Sequence, residues 1–143
     1  MIELSAPTDS CVWVVGHGRT ILHSTDAGVS WTIQAAEVIA TWDANGVTAI
    51  SENIAWVAED TGGIYYTTDG GVTWEHQTNI PLETTGYYLY RISPINKDIA
   101  WIVGPSYCDG IILHTVDGGT IWTKQTYNPA VRLGDVSFAD SFH

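Results

Sequence analysis

One pattern recurs three times along the 143 residues, and it limits the folds open to this chain more than any other feature. The first copy runs Val12-Trp13-Val14-Val15-Gly16, then Thr20-Ile21-Leu22-His23-Ser24-Thr25-Asp26-Ala27-Gly28-Val29-Ser30-Trp31. The second runs Ile54-Ala55-Trp56-Val57-Ala58, then Gly63-Ile64-Tyr65-Tyr66-Thr67-Thr68-Asp69-Gly70-Gly71-Val72-Thr73-Trp74. The third runs Ile99-Ala100-Trp101-Ile102-Val103-Gly104, then Ile111-Ile112-Leu113-His114-Thr115-Val116-Asp117-Gly118-Gly119-Thr120-Ile121-Trp122. Asp26, Asp69 and Asp117 are spaced by 43 and 48 residues, and Trp13, Trp56 and Trp101 by 43 and 45. A repeat of roughly 40–50 residues, built from several short strand-like runs, is the signature of propeller blades.

Each unit parses into about four strands. In the second they are expected near 47–50, 54–58, 64–68 and 73–76. The continuous apolar run at 55–58 suits a strand covered on both faces, and the alternating run at 73–76 suits an outer strand with one wet face. The expectation is an all-β, β-propeller-type domain with three four-stranded blades, about 1–36, 46–79 and 86–127, and a spare strand at about 133–140. Seven Trp and seven Tyr against one Met agree with a sheet protein, because these aromatics fit half-buried pleated surfaces.

The turns carry their own explanation. Asp69-Gly70-Gly71 and Asp117-Gly118-Gly119 supply the positive φ that tight hairpin turns need. Each Asp carboxylate is expected to accept backbone N–H groups about two residues on, closing an Asx-type turn. Trp31, Trp74 and Trp122 lie five residues after their Asp and are expected to fold back on the sheet, with a partner for each buried indole N–H.

Ser/Thr-x-Asp-x-Gly-x-Thr-Trp resembles the Asp-box, or bacterial neuraminidase repeat. The three copies place Asp26, Gly28 and Trp31, then Asp69, Gly71 and Trp74, then Asp117, Gly119 and Trp122 on its fixed positions. The third departs at Ile121, where the motif has Ser or Thr. The wider pattern, Trp-x-Val-Gly ahead of Gly-Ile-Leu-x-Thr-x-Asp-Gly-Gly-x-x-Trp, is most similar to the repeats of photosystem II assembly factors. Sialidases, sortilin-type receptors and xyloglucan-cleaving glycosidases share the box. The resemblance implies that Asp26, Asp69 and Asp117 are structural residues at the blade periphery.

Three blades are fewer than the four to eight of typical closed propellers. A second chain is therefore expected to complete a ring around a two-fold axis, making a homodimer.

Other features bound the function. A formal net charge of −11 argues against nucleic acid as a partner. No apolar stretch approaches the ~18 residues of a membrane helix, and the first residues show no signal-peptide pattern. Taken as written, the chain is expected to be cytoplasmic, without membrane insertion. Cys11 and Cys108 allow one disulfide at most, and unpaired thiols are the favoured reading. No metal site or cofactor is expected. His23 and His114 share a repeat position with Tyr66, which points to cross-strand packing. Sialidase chemistry needs converging arginines, and Arg19, Arg91 and Arg132 occupy unrelated repeat positions. Glycoside hydrolysis needs two carboxylates. Asp43, Glu59, Asp60 and Asp109 lie outside the boxes but read as solvated loop groups.

The best candidate recognition surface is Trp42 with Tyr87, Tyr88, Tyr90 and Arg91, since aromatics and Arg anchor interfaces and stack on sugars. The leading expectation is a non-enzymatic scaffold binding another protein. The alternatives are a carbohydrate-binding or glycoside-hydrolase-like protein, and a self-assembling structural oligomer.

Overall fold

The computed structural model describes residues 3–34, 43–81, 88–105, 110–125 and 133–137. Trp42, Tyr87, Cys108, Asp109 and Arg132 lie outside them. The described residues form three four-stranded antiparallel sheets, each a simple up-and-down meander. The first contains β1 (Glu3–Ser5), β2 (Val12–Gly16), β3 (Thr20–Ser24) and β4 (Thr32–Ile33). The second contains β5 (Ala44–Ala49), β6 (Ala55–Glu59), β7 (Ile64–Thr67) and β8 (Glu75–Gln77). The third contains β9 (Arg91–Pro94), β10 (Ala100–Pro105), β11 (Gly110–Thr115) and β12 (Thr123–Lys124). The fold is that of propeller blades.

Side-chain alternation explains how the blades stack. Every second residue of a strand points to the same face. In blade 2, Val47, Val57 and Tyr65 stand opposite one another across β5, β6 and β7. This row packs on Trp13, Val15 and Ile21 of blade 1. In blade 3 the matching row is Ile92, Ile102 and Leu113, which packs on Trp56, Ala58 and Ile64 of blade 2. The core therefore lies between blades, and all of β6 is buried because it faces a neighbour on each side.

The first strands line up side by side and are tied together by side chains. Glu3 accepts the N–H of Val47 (3.0 Å), and Ser5 Oγ accepts that of Ala49 (2.9 Å). Thr48 Oγ1 donates to the Ile92 carbonyl (2.7 Å).

Three expectations need correcting. The fourth strand of blade 2 begins at Glu75 rather than 73, because the Asp69 carboxylate holds the N–H of Thr73 inside the turn. No strand is formed over 133–137, the described part of the expected spare strand, and one strand has no ladder without a partner edge. Trp31 does not fold into cover among the described residues: it stays 42% exposed, with its indole N–H on the Gly28 carbonyl of its own loop.

Candidate functional site

The three Asp-box loops are organised around Asp26, Asp69 and Asp117. In the second box, Asp69 Oδ1 accepts the N–H of Thr73 at 2.9 Å and Oδ2 accepts the Thr73 hydroxyl at 2.6 Å. The carboxylate thus reaches four residues on, not two. Thr67 is the buried hub of the loop: its hydroxyl donates to Asp69 Oδ1 and accepts the N–H of Gly71. Ser24 and Thr115 do the same in the other boxes. Ser30 donates hydroxyl and N–H to Asp26, holding its pKa down to about 2. Asp69 is lowered chiefly by the Thr73 hydroxyl, and Asp117 chiefly by the Ile121 N–H, since Ile121 has no hydroxyl to give.

The box Trp side chains close the joints between blades. Trp74 meets Trp13 edge-on at 5.7 Å, and Trp122 meets Trp56 edge-on at 6.0 Å. Trp122 donates its indole N–H to Gln77 of blade 2 (2.9 Å), and Gln77 Nε2 donates to the Gly118 carbonyl (3.1 Å). Indole partners are not universal: among the described residues the buried Nε1 atoms of Trp56 and Trp74 have none. Trp31 Nε1 donates to the Gly28 carbonyl of its own loop (3.1 Å).

The shared repeat position of His23, Tyr66 and His114 is a stacking position. Each ring lies on the Trp directly across the ladder, at 3.8 Å on Trp13, 4.0 Å on Trp56 and 3.9 Å on Trp101. His23 Nε2 is also 3.3 Å from the free thiol of Cys11. Burial lowers the His23 pKa and raises that of Cys11, so both are neutral near pH 7. Among the described residues no three His, Cys, Asp or Glu side chains gather as a metal would need.

Asp43, Glu59 and Asp60 lie near one another at one end of the β5–β6 pair, where the Asp60 N–H donates to the Asp43 carbonyl (3.1 Å). Asp43 accepts the Gly18 N–H (2.8 Å) and pairs with His17 Nδ1 (2.5 Å), and that hydrogen bond keeps its pKa low. Asp60 accepts from Asn45 Nδ2 (2.7 Å). Glu59 is buried and accepts from the Thr61 hydroxyl.

Tyr88, Tyr90 and Arg91 follow one another along the start of the innermost strand of blade 3. The N–H of Tyr88 donates to the Pro105 carbonyl and that of Tyr90 to the Val103 carbonyl (both 3.0 Å), extending the β9–β10 ladder. Leu89 between them is buried, so both tyrosines point away from it and stay partly exposed, with ring centroids 6.5 Å apart. Two glycines make room. A Cβ at Gly104 would lie 1.7 Å from the Tyr88 carbonyl oxygen, and one at Gly46 would lie 2.6 Å from that of Tyr90. Asn45 Nδ2 fastens the segment through the Leu89 carbonyl (3.3 Å). Arg91 Nη1 is 3.0 Å from Glu3 Oε2, and its Nε is 3.7 Å from Asp135 Oδ1. The Glu3 pKa is raised by burial, which outweighs the opposing pull of Arg91. Arg91 and Arg19 do not share a site: Arg19 occupies the β2–β3 hairpin, with φ 61°.

The model of the photosynthesis system II assembly factor YCF48 family matches residues 2–80 and again 53–133. This chain belongs to that family. Among solved structures, YCF48 bound to D1 peptide is similar at 24% identity and a TM-score of 0.69, covering 85% of this chain and 38% of that one. YCF48 from Cyanidioschyzon merolae is similar at 23% identity and a TM-score of 0.65, covering 86% and 38%. The GH74 enzyme of Niastella koreensis follows at 19% and 0.64, covering 85% and 22%. These likenesses establish the propeller fold, and the chain spans less than two-fifths of the YCF48 chains it matches. No curated protein matches.

Proposed function

We propose that this chain is a non-enzymatic protein-binding module of the YCF48 family, and that Tyr88, Tyr90 and Arg91 contact an extended peptide. The observation that carries the reading is the partly exposed Tyr-x-Tyr-Arg segment, fixed on an innermost strand by two close-approach glycines and Asn45. Two amphipathic rings offer area at small entropic cost, and the guanidinium offers donors to a carboxylate or a backbone carbonyl. Arg91 already lies between Glu3 and Asp135, so it is held in place before any partner arrives. Support for a peptide partner comes from the relative whose structure is described as bound to D1 peptide.

The test is titration of a fluorescently labelled D1 peptide against the chain. Saturable binding, weakened about tenfold or more by Tyr90→Ala and by Arg91→Ala, is expected for anchor residues. No binding, or equal binding by the variants, removes the reading. A glycosidase reading has less support. A cleft of about 380 Å³ on blade 2 is lined by Glu59, Tyr65 and His76, and among the described residues Glu59 is its one carboxylate, where most glycoside cleavage uses two.

A further inference from the structure

We infer that blade 1 of one chain docks onto blade 3 of a second copy, by repeating the joint that already links blades 1 to 2 and 2 to 3. The two internal joints define its parts. The entering blade supplies an apolar row, a box Trp and a box Gly, and the receiving blade supplies a Trp, an Ile and a Gln.

Gln34 and Gln77 hold the same repeat position, and both are buried against the next box glycine. A Cβ at Gly71 would lie 2.1 Å from Gln34 Oε1, and one at Gly119 would lie 1.5 Å from Gln77 Oε1. Trp13 and Trp56 are wholly buried beneath the next box Trp.

Each half of a third such joint is exposed. On blade 1, Leu4, Val14, Leu22 and Ile33 stand opposite one another across all four strands. They occupy the row that Val47, Val57 and Tyr65 fill in blade 2. Leu4 is 60%, Ile33 74% and Trp31 42% exposed. Among the described residues, a Cβ at Gly28 would meet only Trp31 of its own loop. On blade 3, Trp101, Ile112 and Gln125 are partly exposed where their equivalents in blades 1 and 2 are buried. Among the described residues, Gln125 Nε2 donates to Thr123 Oγ1 at 3.4 Å.

The named side chains of both halves are uncharged. Contacts among these side chains therefore bring no like charges together, although each chain carries −11. Two chains related by a two-fold axis make this joint twice and close a six-bladed ring, within the usual range.

Light scattering across micromolar concentrations should give twice the mass of one chain. Trp31→Ala spoils the entering face and Gln125→Lys the receiving face, and each is expected to weaken pairing by at least tenfold. An equimolar mixture of the two variants should recover pairs, because each retains the face the other has lost. Leu4→Lys serves as a second entering-face variant, and a cooperative melt checks that each variant folds. A monomeric parent chain overturns the proposal. So do two poorly pairing variants that stay apart when mixed, since that result indicates like-to-like contact of one face.

Discussion

Thr67 is only 1% exposed, while the Asp69 it holds is open to solvent. The stability of the loop should therefore depend on the hydroxyl more than its place in the motif suggests. Thr67→Val keeps the shape and leaves the Gly71 N–H without its acceptor. A loss of about 1–3 kcal/mol in urea unfolding is expected, as for other stranded buried donors. Thr67→Ser, which keeps the hydroxyl, should lose much less, and equal stability of the Val variant would remove the hub argument. The carboxylates leave a separate mark in acid. Asp26 ionises near 2 in the fold against an ordinary 3.8, so folding favours its charged form. Its contribution is complete above pH 3.8 and disappears as pH falls through about 2. Asp69 and Asp117 shift the same way. Asp26→Asn should flatten the fall in melting temperature between pH 4 and 2 while leaving the slope above pH 5 unchanged.

At the scale of the turn and strand, the sequence itself contains a control. Gly70 and Gly118 have φ near +70°, and the first box has Ala27 at that position with φ 60°. A Cβ at Gly118 would meet nothing nearer than 3.4 Å, whereas one at Gly119 would strike Gln77. Gly118→Ala should cost about 1–2 kcal/mol, the penalty of a left-handed conformation. Gly119→Ala should cost that and on the order of 1–3 kcal/mol more for overpacking the joint. Equal losses in thermal melts would mean that Gln77 moves aside freely. The contrast marks what was legible. Trp, Asp and Gly spacing located the blades, because those residues act within one turn or one strand. Strand limits were missed where a side chain captured backbone, as Asp69 does at Thr73. Gln34, Gln77 and Gln125 recur with the same 43- and 48-residue spacing as the aspartates. Their meaning stayed hidden because each Gln acts on the following blade. The Tyr88–Arg91 segment was recognisable from its aromatics, but the glycines that seat it come from strands far away in sequence.

Across the whole molecule, the core lies between sheets, so each blade's stability depends on its neighbours, as in other repeat arrays. Blade 2 has a joint on both faces, and blades 1 and 3 have one each within a single chain. The Trp residues show the asymmetry: Trp56 is fully buried under Trp122, while Trp31 at the open face is 42% exposed. Trp56→Ala should therefore cost roughly 3–5 kcal/mol, the range for deleting a buried aromatic. Trp31→Ala should change the stability of the dilute chain little. Amide hydrogen exchange can test the same gradient without mutation. In dilute solution, β6 and β7 amides should exchange about tenfold or more slowly than those of β3 and β11, since they open only when both joints fail. Raising the chain concentration should slow exchange in β3 and β11 while β6 changes little, because docking of blade 1 on blade 3 covers the outer sheets. Uniform protection at every concentration would mean that the three blades unfold as one unit and that the joints do not set local stability.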